Sequence, residues 1–175
     1  MAISRAVPTR LVIEFGAAKA DIELGGLSLT SASIKTGASE TLVKFSEPNR
    51  VACGSLELAA GVARFEVHKL GNARCSRIEV SGGIGEIVLD LTGDWARGSS
   101  TPITVKIGLG QLTLHLPRRL GVEIDINKLL VGFDERGFMK RGSRWVTPNY
   151  EEAAAHVRLE IKAIFGNIDI VWVQD

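Results

Sequence analysis

The sequence predicts an all-β fold, specifically a right-handed β-solenoid in which rungs of two to three short strands stack into one domain. Three observations support this prediction: a unit recurs along the chain, apolar and polar residues alternate within it, and most copies have a central glycine. Alternation with a period of two is typical of half-buried strands. A recurring unit that cannot bury its apolar face alone is typical of stacked repeats.

The recurring unit is clearest in the middle of the chain. The segment around Gly83 aligns with the segments around Gly61 and Gly108 after shifts of 22 and 25 residues, and weaker copies surround Gly37 and Gly16. Glycine permits a positive φ angle or a close approach to a neighbouring backbone. These five glycines are therefore the predicted structural corners of the rungs.

Two further copies near the C-terminus are degenerate. One lacks the glycine and is centred on Asn127, and the other has Ile164 at the glycine position with Gly166 two residues later. The seven units predict a single repetitive β domain over residues 11–175, preceded by a disordered or extended segment over residues 1–10. Residues 134–150 interrupt the repeat and are predicted to form an inserted loop or hairpin.

An antiparallel β-sandwich is the alternative fold. Short strands at regular spacing also suit a sandwich, and turn signals such as Gly25-Gly26 and Gly71-Asn72 separate the units. We favour the solenoid because the units share one register around their central position.

Composition and charge exclude several classes of partner. The formal net charge is +1, so the whole chain has no field that would attract nucleic acid or an anionic membrane. No run of 18 apolar residues is present, which predicts no transmembrane segment in this chain. The first ten residues do not resemble a signal peptide. Composition alone therefore leaves open a cytosolic location or a leader that has been removed.

The two cysteines lie at equivalent positions of successive units. Cys53 precedes a Leu-Glu-Leu strand and Cys75 precedes an Ile-Glu-Val strand. If the units stack, the thiols come close enough for a disulfide to be conceivable. We nevertheless expect two small buried thiols, because free cysteine is among the residues most often buried.

No motif predicts catalysis, a cofactor or a metal. The run GGIGEI at 82–87 is followed by an alternating strand instead of a helix, so it lacks the helix N-terminus on which a nucleotide phosphate would sit. The three histidines are isolated from one another. Acidic residues mostly alternate with apolar neighbours and are predicted to lie on a solvated outer face, or to form rows along it. We therefore predict that the protein is not an enzyme.

One basic and aromatic segment is the first choice for a binding patch. Cations and aromatic rings together can stack on a base or sugar or bind a phosphate, although a solvated loop is the simpler interpretation. The patch comprises Arg136, Lys140, Arg141, Arg144, Trp145 and Tyr150.

Several short runs stand out along the chain: FSEPN at 45–49, HKLGNA at 68–73, GGIG at 82–85, LDLTG at 89–93 and IGLG at 107–110, with residues 142–150 leading into 161–170. Together they resemble the toast-rack family of adhesin-type domains of unknown function. The chain is also similar to C-terminal domains of LiaF-type proteins, which respond to cell-wall-active antibiotics. The resemblance covers nearly the whole chain from Leu11 onward.

The resemblance implies a non-enzymatic, bacterial, envelope-associated domain that binds or scaffolds an unknown ligand. It favours an extracytoplasmic location, although this chain shows neither leader nor membrane helix. Alternatives are a carbohydrate-active or glycan-binding solenoid, or a regulatory domain that engages a protein partner in envelope stress signalling. Exposed strand edges at the ends of a solenoid would also allow a homo-oligomer.

Overall fold

The computed structural model describes residues 3–174, which form nine β-strands and one short 3-10 helix, Leu70–Ala73. Seven of these strands are long, with 13 to 18 residues each. The strands are β1 (Thr9–Glu23), β2 (Leu29–Lys44), β3 (Ser55–His68), β4 (Ile78–Asp90), β5 (Ser100–Pro117), β6 (Gly121–Phe133), β7 (Met139–Arg141), β8 (Arg144–Val146) and β9 (His156–Val173).

All nine strands belong to one sheet, in the order β1-β2-β3-β4-β5-β9-β6-β8-β7. Each pair of neighbouring long strands is parallel. The C-terminal strand β9 lies between β5 and β6, so the last unit of the repeat is not the last rung of the stack. The short strands β7 and β8 pair antiparallel with each other, and β8 pairs with β6.

Each long strand bends near its middle. In β2 the buried positions from Ala32 to Thr36 are even-numbered, as at Ala32 and Ile34, whereas those after Gly37 are odd-numbered, as at Thr41 and Val43. In a straight strand the residues on one face are either all even-numbered or all odd-numbered. The switch from even-numbered to odd-numbered buried positions therefore shows that the strand bends near Gly37. Each rung is therefore one strand with a first arm and a second arm, and the arms enclose the core.

This architecture confirms the all-β solenoid and excludes the antiparallel sandwich. The core is built almost entirely of aliphatic residues from the inner faces of both arms, as at Val80 and Leu89 in β4 and at Ile103 and Leu114 in β5. Full burial of such a side chain contributes about 1.5–3 kcal/mol. The alternation that predicted the strands is the pattern that fills this core.

One predicted unit is centred on the wrong residue. Asn127 pairs with Lys162, and the residue of β6 that occupies the corner is Leu129, opposite Ile164. The prediction was wrong by two residues because β6 lacks the glycine that marks the corner elsewhere. The register, and not the residue type, identifies the corner in this strand.

Buried asparagines join the turns between rungs. The side chain of Asn49 accepts from the backbone N–H of Leu29 at 2.8 Å and donates to its carbonyl oxygen at 2.8 Å. Asn72 donates to the carbonyl oxygen of Phe45 at 2.7 Å and accepts from the backbone N–H of Asp94 at 2.8 Å. Because an unpaired buried backbone group is costly, these side chains hold the turns in register.

The two cysteines form a disulfide, so the expectation of two free thiols was wrong. Cys53 and Cys75 are buried, and a parallel bridge between their backbones brings the Cα atoms to 4.2 Å. Stacking the turns of β2–β3 and β3–β4 places the two thiols opposite each other. The equivalent position of the cysteines in successive units was the signal for this contact.

The segments outside the regular rungs lie at the two ends of the stack. Residues 3–8 precede β1, which begins within the predicted segment 1–10; residues 1 and 2 lie outside the described residues. Residues 134–150 contain the β7–β8 hairpin, which lies beside the first arm of β6. The division of the chain into domains stays a prediction.

Candidate interaction surface

The corner of the solenoid is a column of small residues. Gly16, Gly37, Gly61, Gly83 and Gly108 follow one another along it, and each is the residue that the pairing between neighbouring strands leaves out. A Cβ atom on Gly37, Gly61, Gly83 or Gly108 would lie 2.5–2.8 Å from the carbonyl oxygen of the preceding corner glycine. The close approach of the backbones explains glycine at these positions.

The residues that directly follow the corner form an exposed apolar row. Val62, Ile84, Leu109, Phe165 and Leu130 pair in register across β3, β4, β5, β9 and β6. Their exposed fractions range from 45% to 65%. Strands lie about 4.8 Å apart, so the row is about 19 Å long.

The corner residues of β9 and β6 extend this row, because Ile164 is 57% exposed and Leu129 is 74% exposed. We call these seven residues the apolar ridge: Val62, Ile84, Leu109, Leu129, Leu130, Ile164 and Phe165. Contiguous exposed apolar surface on a folded protein commonly marks an interaction site.

A second column of small residues lies one position beyond the ridge. Gly85, Gly110 and Gly166 have φ angles of 137°, 146° and 140°, and a Cβ atom on any of them would overlap the backbone of the neighbouring rung. On β4 and β5 the ridge residues Ile84 and Leu109 therefore stand between two columns of glycine, which carry no side chain. The spacing Gly-x-Gly at 83–85 and 108–110 was the sequence signal for this second column.

A groove of about 580 Å³ runs along the first-arm side of the ridge. It is lined by small residues such as Gly82 and Ala163 and by the ridge residues Ile164 and Leu129. Lys106 and Lys162 also line it and are exposed. The groove thus combines an apolar lining with cationic side chains.

A second, polar groove of about 430 Å³ lies farther along the outer face of the first arms. It is lined by Glu57, Glu79 and Glu160, among others. Glu57 forms an ion pair with Lys35 at 3.2 Å, and Glu160 forms one with Lys162 at 3.0 Å. These acidic residues lie on the solvated outer face that the alternation predicted, and two of them form a row because Glu57 pairs with Glu79.

The cations of the predicted binding patch lie beside acidic residues. Arg136 donates to both carboxylate oxygens of Asp134, at 2.7–3.1 Å. These hydrogen bonds hold the pKa of the Asp134 carboxyl at about 2, below its usual value. Arg141 forms an ion pair with Glu151 at 2.7 Å.

The other cations of the patch are also engaged. Arg144 lies 3.0 Å from a carboxylate oxygen of Glu123 and 3.7 Å from one of Asp125. The ammonium group of Lys140 lies 5.5 Å from the ring centroid of Trp145, within the range of a cation–π contact. The patch therefore presents charge that is largely compensated, and a ligand for it stays a prediction.

Aromatic rings near the patch pack against the end of the core. The ring centroids of Phe133 and Phe138 lie 5.9 Å apart, those of Phe133 and Trp145 also 5.9 Å, and those of Phe138 and Trp172 5.2 Å. Arg118 covers Trp172 at 5.6 Å. This cluster joins the hairpin to β6 and β9, so Trp145 contributes packing as well as exposed surface.

The three histidines do not come together in one site, and of these only His156 contacts Tyr150 in the described part of the chain. The ring of Tyr150 packs edge-on against His156, whose Nε2 lies 2.6 Å from the Tyr150 carbonyl oxygen, and burial raises the pKa of the Tyr150 hydroxyl. His68 lies beside Glu66 at 3.4 Å, and His115 lies on the outer face of β5. Within residues 3–174 no group of three His, Cys, Asp or Glu side chains is placed to hold a metal ion.

The apolar ridge was not predicted from the sequence. Four of the ridge residues, Val62, Ile84, Leu109 and Phe165, lie next to a glycine in an alternating strand, where a single exposed apolar residue is unremarkable. Aligning the units on their corner glycines would have placed Val62, Ile84 and Leu109 in one row. Leu129 and Leu130 could not be aligned in this way because their corner has no glycine.

None of the helical residues that the structure describes forms a segment long and apolar enough to cross a membrane. A search of curated proteins returned no match. The chain is similar over 97% of its length, and over 94% of the other chain, to the crystal structure of a putative cell adhesion protein from Clostridium sporogenes ATCC 15579. The identity is 16% and the TM-score is 0.66, which shows that the two share a fold.

Two family models match the chain. Residues 1–68 match the N-terminal domain of toast_rack, DUF2154. Residues 65–170 match the C-terminal domain of LiaF, described as cell wall-active antibiotics response. Since the second match covers more than half of the chain and the first covers the remaining N-terminal rungs, this protein belongs to the LiaF-like C-terminal, toast-rack family.

Proposed function

We propose that this protein is a non-enzymatic binding or scaffolding domain of the bacterial cell envelope, and that the apolar ridge is its binding surface. The observation that carries the proposal is the register of the ridge, with five large apolar side chains exposed in one row. The family description, response to cell-wall-active antibiotics, supports an envelope role.

The disulfide supports a location outside the cytoplasm. Cys53 and Cys75 are bonded and buried. Disulfides persist in oxidising compartments and are rare in the cytosol. An extracytoplasmic domain next to the membrane or cell wall fits both this bond and the family.

The ridge suits a binding role because its exposure has no structural benefit within the rung. The corner glycines and the second glycine column already allow the strands to bend and stack. Smaller or polar residues between them would maintain the same backbone, as Ala17 and Ala38 do in β1 and β2. Large aliphatic residues at these positions are therefore best explained by a surface that covers them.

The test is co-sedimentation of the purified protein with a bacterial envelope fraction. The ridge variant carries Ile84→Thr, Leu109→Thr and Phe165→Thr, and threonine retains a preference for strands. We expect binding to weaken about tenfold or more, because each replaced side chain loses apolar area that the contact would bury.

The control variant carries Val7→Thr, Val12→Thr and Val171→Thr. These valines are 40–57% exposed, similar to the replaced ridge residues, but lie away from the ridge. The control should bind like the wild type. Equal binding by the ridge variant, or no binding by the wild type, would contradict the proposal.

A regulatory role toward a protein partner is a more specific version of the same proposal, supported by the family's description as a response to cell-wall-active antibiotics. It predicts that the ridge variant alters a reporter of the cell-wall antibiotic response in cells that produce it in place of the wild type. An unchanged reporter, at equal protein level, would refute this version.

The glycan-binding alternative rests on the polar groove beside Glu57, Glu79 and Glu160. Carboxylates that share a groove are able to accept hydrogen bonds from sugar hydroxyls. It predicts that Glu79→Gln weakens binding to purified cell-wall glycan and that the ridge variant does not. Binding that is indifferent to Glu79 would remove this alternative.

Self-association, if it occurs, is expected through β1. The hairpin β7–β8 lies beside β6 at one end of the stack, whereas within residues 3–174 β1 pairs with β2 alone, which leaves its other edge without a strand partner there. Such an edge can pair with a further strand. A strict monomer in light scattering at high concentration would refute this proposal.

A further inference from the structure

We propose that the apolar ridge docks onto an anionic phospholipid surface, with its aliphatic side chains in the interfacial layer and Lys106 and Lys162 at the headgroups. This inference rests on the proposed binding role of the ridge and names its partner. It applies to the part of the ridge on β5, β9 and β6, where the side chains are largest.

Within three residues of the corner, the ionisable side chains of β5, β9 and β6 are all basic, whereas Glu57, Glu79 and Glu160 share the polar groove with Lys106 and Lys162 farther along the first arms. Residues 105–111, 161–167 and 126–132 surround the corner on β5, β9 and β6 and contain no aspartate or glutamate. Lys106 and Lys162 lie in register with each other, two residues before the corner. The net charge of +1 for the whole chain hides this local excess of cations.

The acidic residues nearest the ridge are paired with cations, one of which is Lys162 itself. Glu86, three residues after the corner of β4, lies 3.6 Å from Arg64. Glu160 lies 3.0 Å from Lys162, but both side chains are about half exposed, so the pair is weak and leaves the ammonium group available. Lys106 lines the groove without an acidic neighbour in its own register row, where Ser81 and Lys162 flank it.

The shape of the ridge fits a planar surface. The inner faces of both arms enclose the core, so the corner is the outer, convex edge of every rung. Leu109, Phe165 and Leu130 are neighbours in one register row at this edge and all three are exposed, so one surface can contact them together. Apolar side chains flanked by lysines are the composition by which peripheral proteins lie in a membrane interface.

The experiment measures sedimentation with protein-free vesicles. One set contains phosphatidylcholine alone, and the other contains about one third phosphatidylglycerol, which provides the negative surface. We expect binding to the anionic vesicles only, and weaker binding at about 0.5 M salt because the lysines would be screened.

Two pairs of substitutions separate the ridge lysines from general charge. Lys106→Gln with Lys162→Gln should weaken binding by about 5- to 30-fold, since each lysine near an anionic surface contributes about fivefold. Lys44→Gln with Lys69→Gln changes the net charge equally at positions away from the ridge and should bind like the wild type.

Insertion has its own readout. In a Phe165→Trp variant, lipids brominated in their acyl chains should quench the added tryptophan fluorescence. Unquenched fluorescence in vesicle-bound protein would contradict insertion, because the ridge would then lie outside the apolar layer.

The outcomes distinguish the lipid from other occupants. Ridge-dependent binding to envelopes combined with no binding to anionic vesicles would overturn the lipid inference and leave the binding role intact. Loss of envelope binding after protease treatment of the envelopes would assign the ridge to a protein. A dimer in light scattering that the ridge variant abolishes would assign it to a second copy of this chain. Absence of binding to both envelopes and vesicles would refute the binding role itself.

Discussion

Replacing Gly83 or Gly16 by alanine should affect the stability of the fold differently, because the two glycines have different surroundings. A Cβ atom on Gly83 would lie 2.6 Å from the carbonyl oxygen of Gly61, whereas a Cβ atom on Gly16 would meet nothing within 4 Å. Ordinary contact begins near 3.4 Å. Gly83→Ala therefore requires two hydrogen-bonded rungs to separate by roughly 0.8 Å at the corner, the difference between 3.4 and 2.6 Å.

The expected magnitudes follow from two opposing terms. Overpacking of this kind costs about 1–3 kcal/mol. Replacing glycine by alanine also stabilises the folded state by about 0.4–1 kcal/mol, because it reduces the conformational entropy of the unfolded chain. Gly83→Ala should thus destabilise the protein by about 1–2 kcal/mol. Gly16→Ala should be neutral or stabilising by about 0.4–1 kcal/mol, because only the second term applies.

Urea denaturation followed by far-ultraviolet circular dichroism measures both variants. Gly110→Ala extends the series, because its φ angle of 146° adds backbone strain to the overlap with Gly85. The expected order of stability is Gly16→Ala, then Gly83→Ala, then Gly110→Ala. Equal destabilisation by Gly16→Ala and Gly83→Ala would refute the explanation from close approach of the backbones.

Three further predictions concern the turns and the hairpin. Replacing Cys53 and Cys75 together by serine should lower the free energy of unfolding by about 3 kcal/mol for a closed loop of 22 residues; detection of reactive thiols in the unreduced wild type would contradict the bond. Asn49→Ala should cost about 2–4 kcal/mol because buried backbone groups lose their partners, and a neutral effect in denaturant titration would contradict that role. The Asp134 carboxyl should titrate near pH 2 by NMR, and Arg136→Gln should return its pKa toward 3.8. Because this folded-state pKa is lowered, the ion pair should stabilise the fold above about pH 4 and lose its effect as the pH falls through 2; titration of the wild-type carboxyl near 3.8 would be the contrary result.

The sequence was sufficient for local features of the rungs. Alternation predicted the strands, because a strand exposes one face and buries the other within a few residues. Five corner glycines were identified because each lies at the same place in its own unit, as around Gly61 and Gly83. The corner of β6 was wrongly predicted at Asn127, because a corner without glycine has no distinctive residue in the sequence. The pairing of β6 with β9 places Leu129 at the corner, opposite Ile164.

The sequence by itself determined the rung, that is, the alternating strand, its small-residue corner and the equivalent positions of Cys53 and Cys75. Only the tertiary structure decided the insertion of β9 between β5 and β6, the disulfide and the apolar ridge. The physical reason is that a rung is specified by neighbouring residues, whereas a row such as Leu109, Phe165 and Leu130 exists only after distant strands have paired in register.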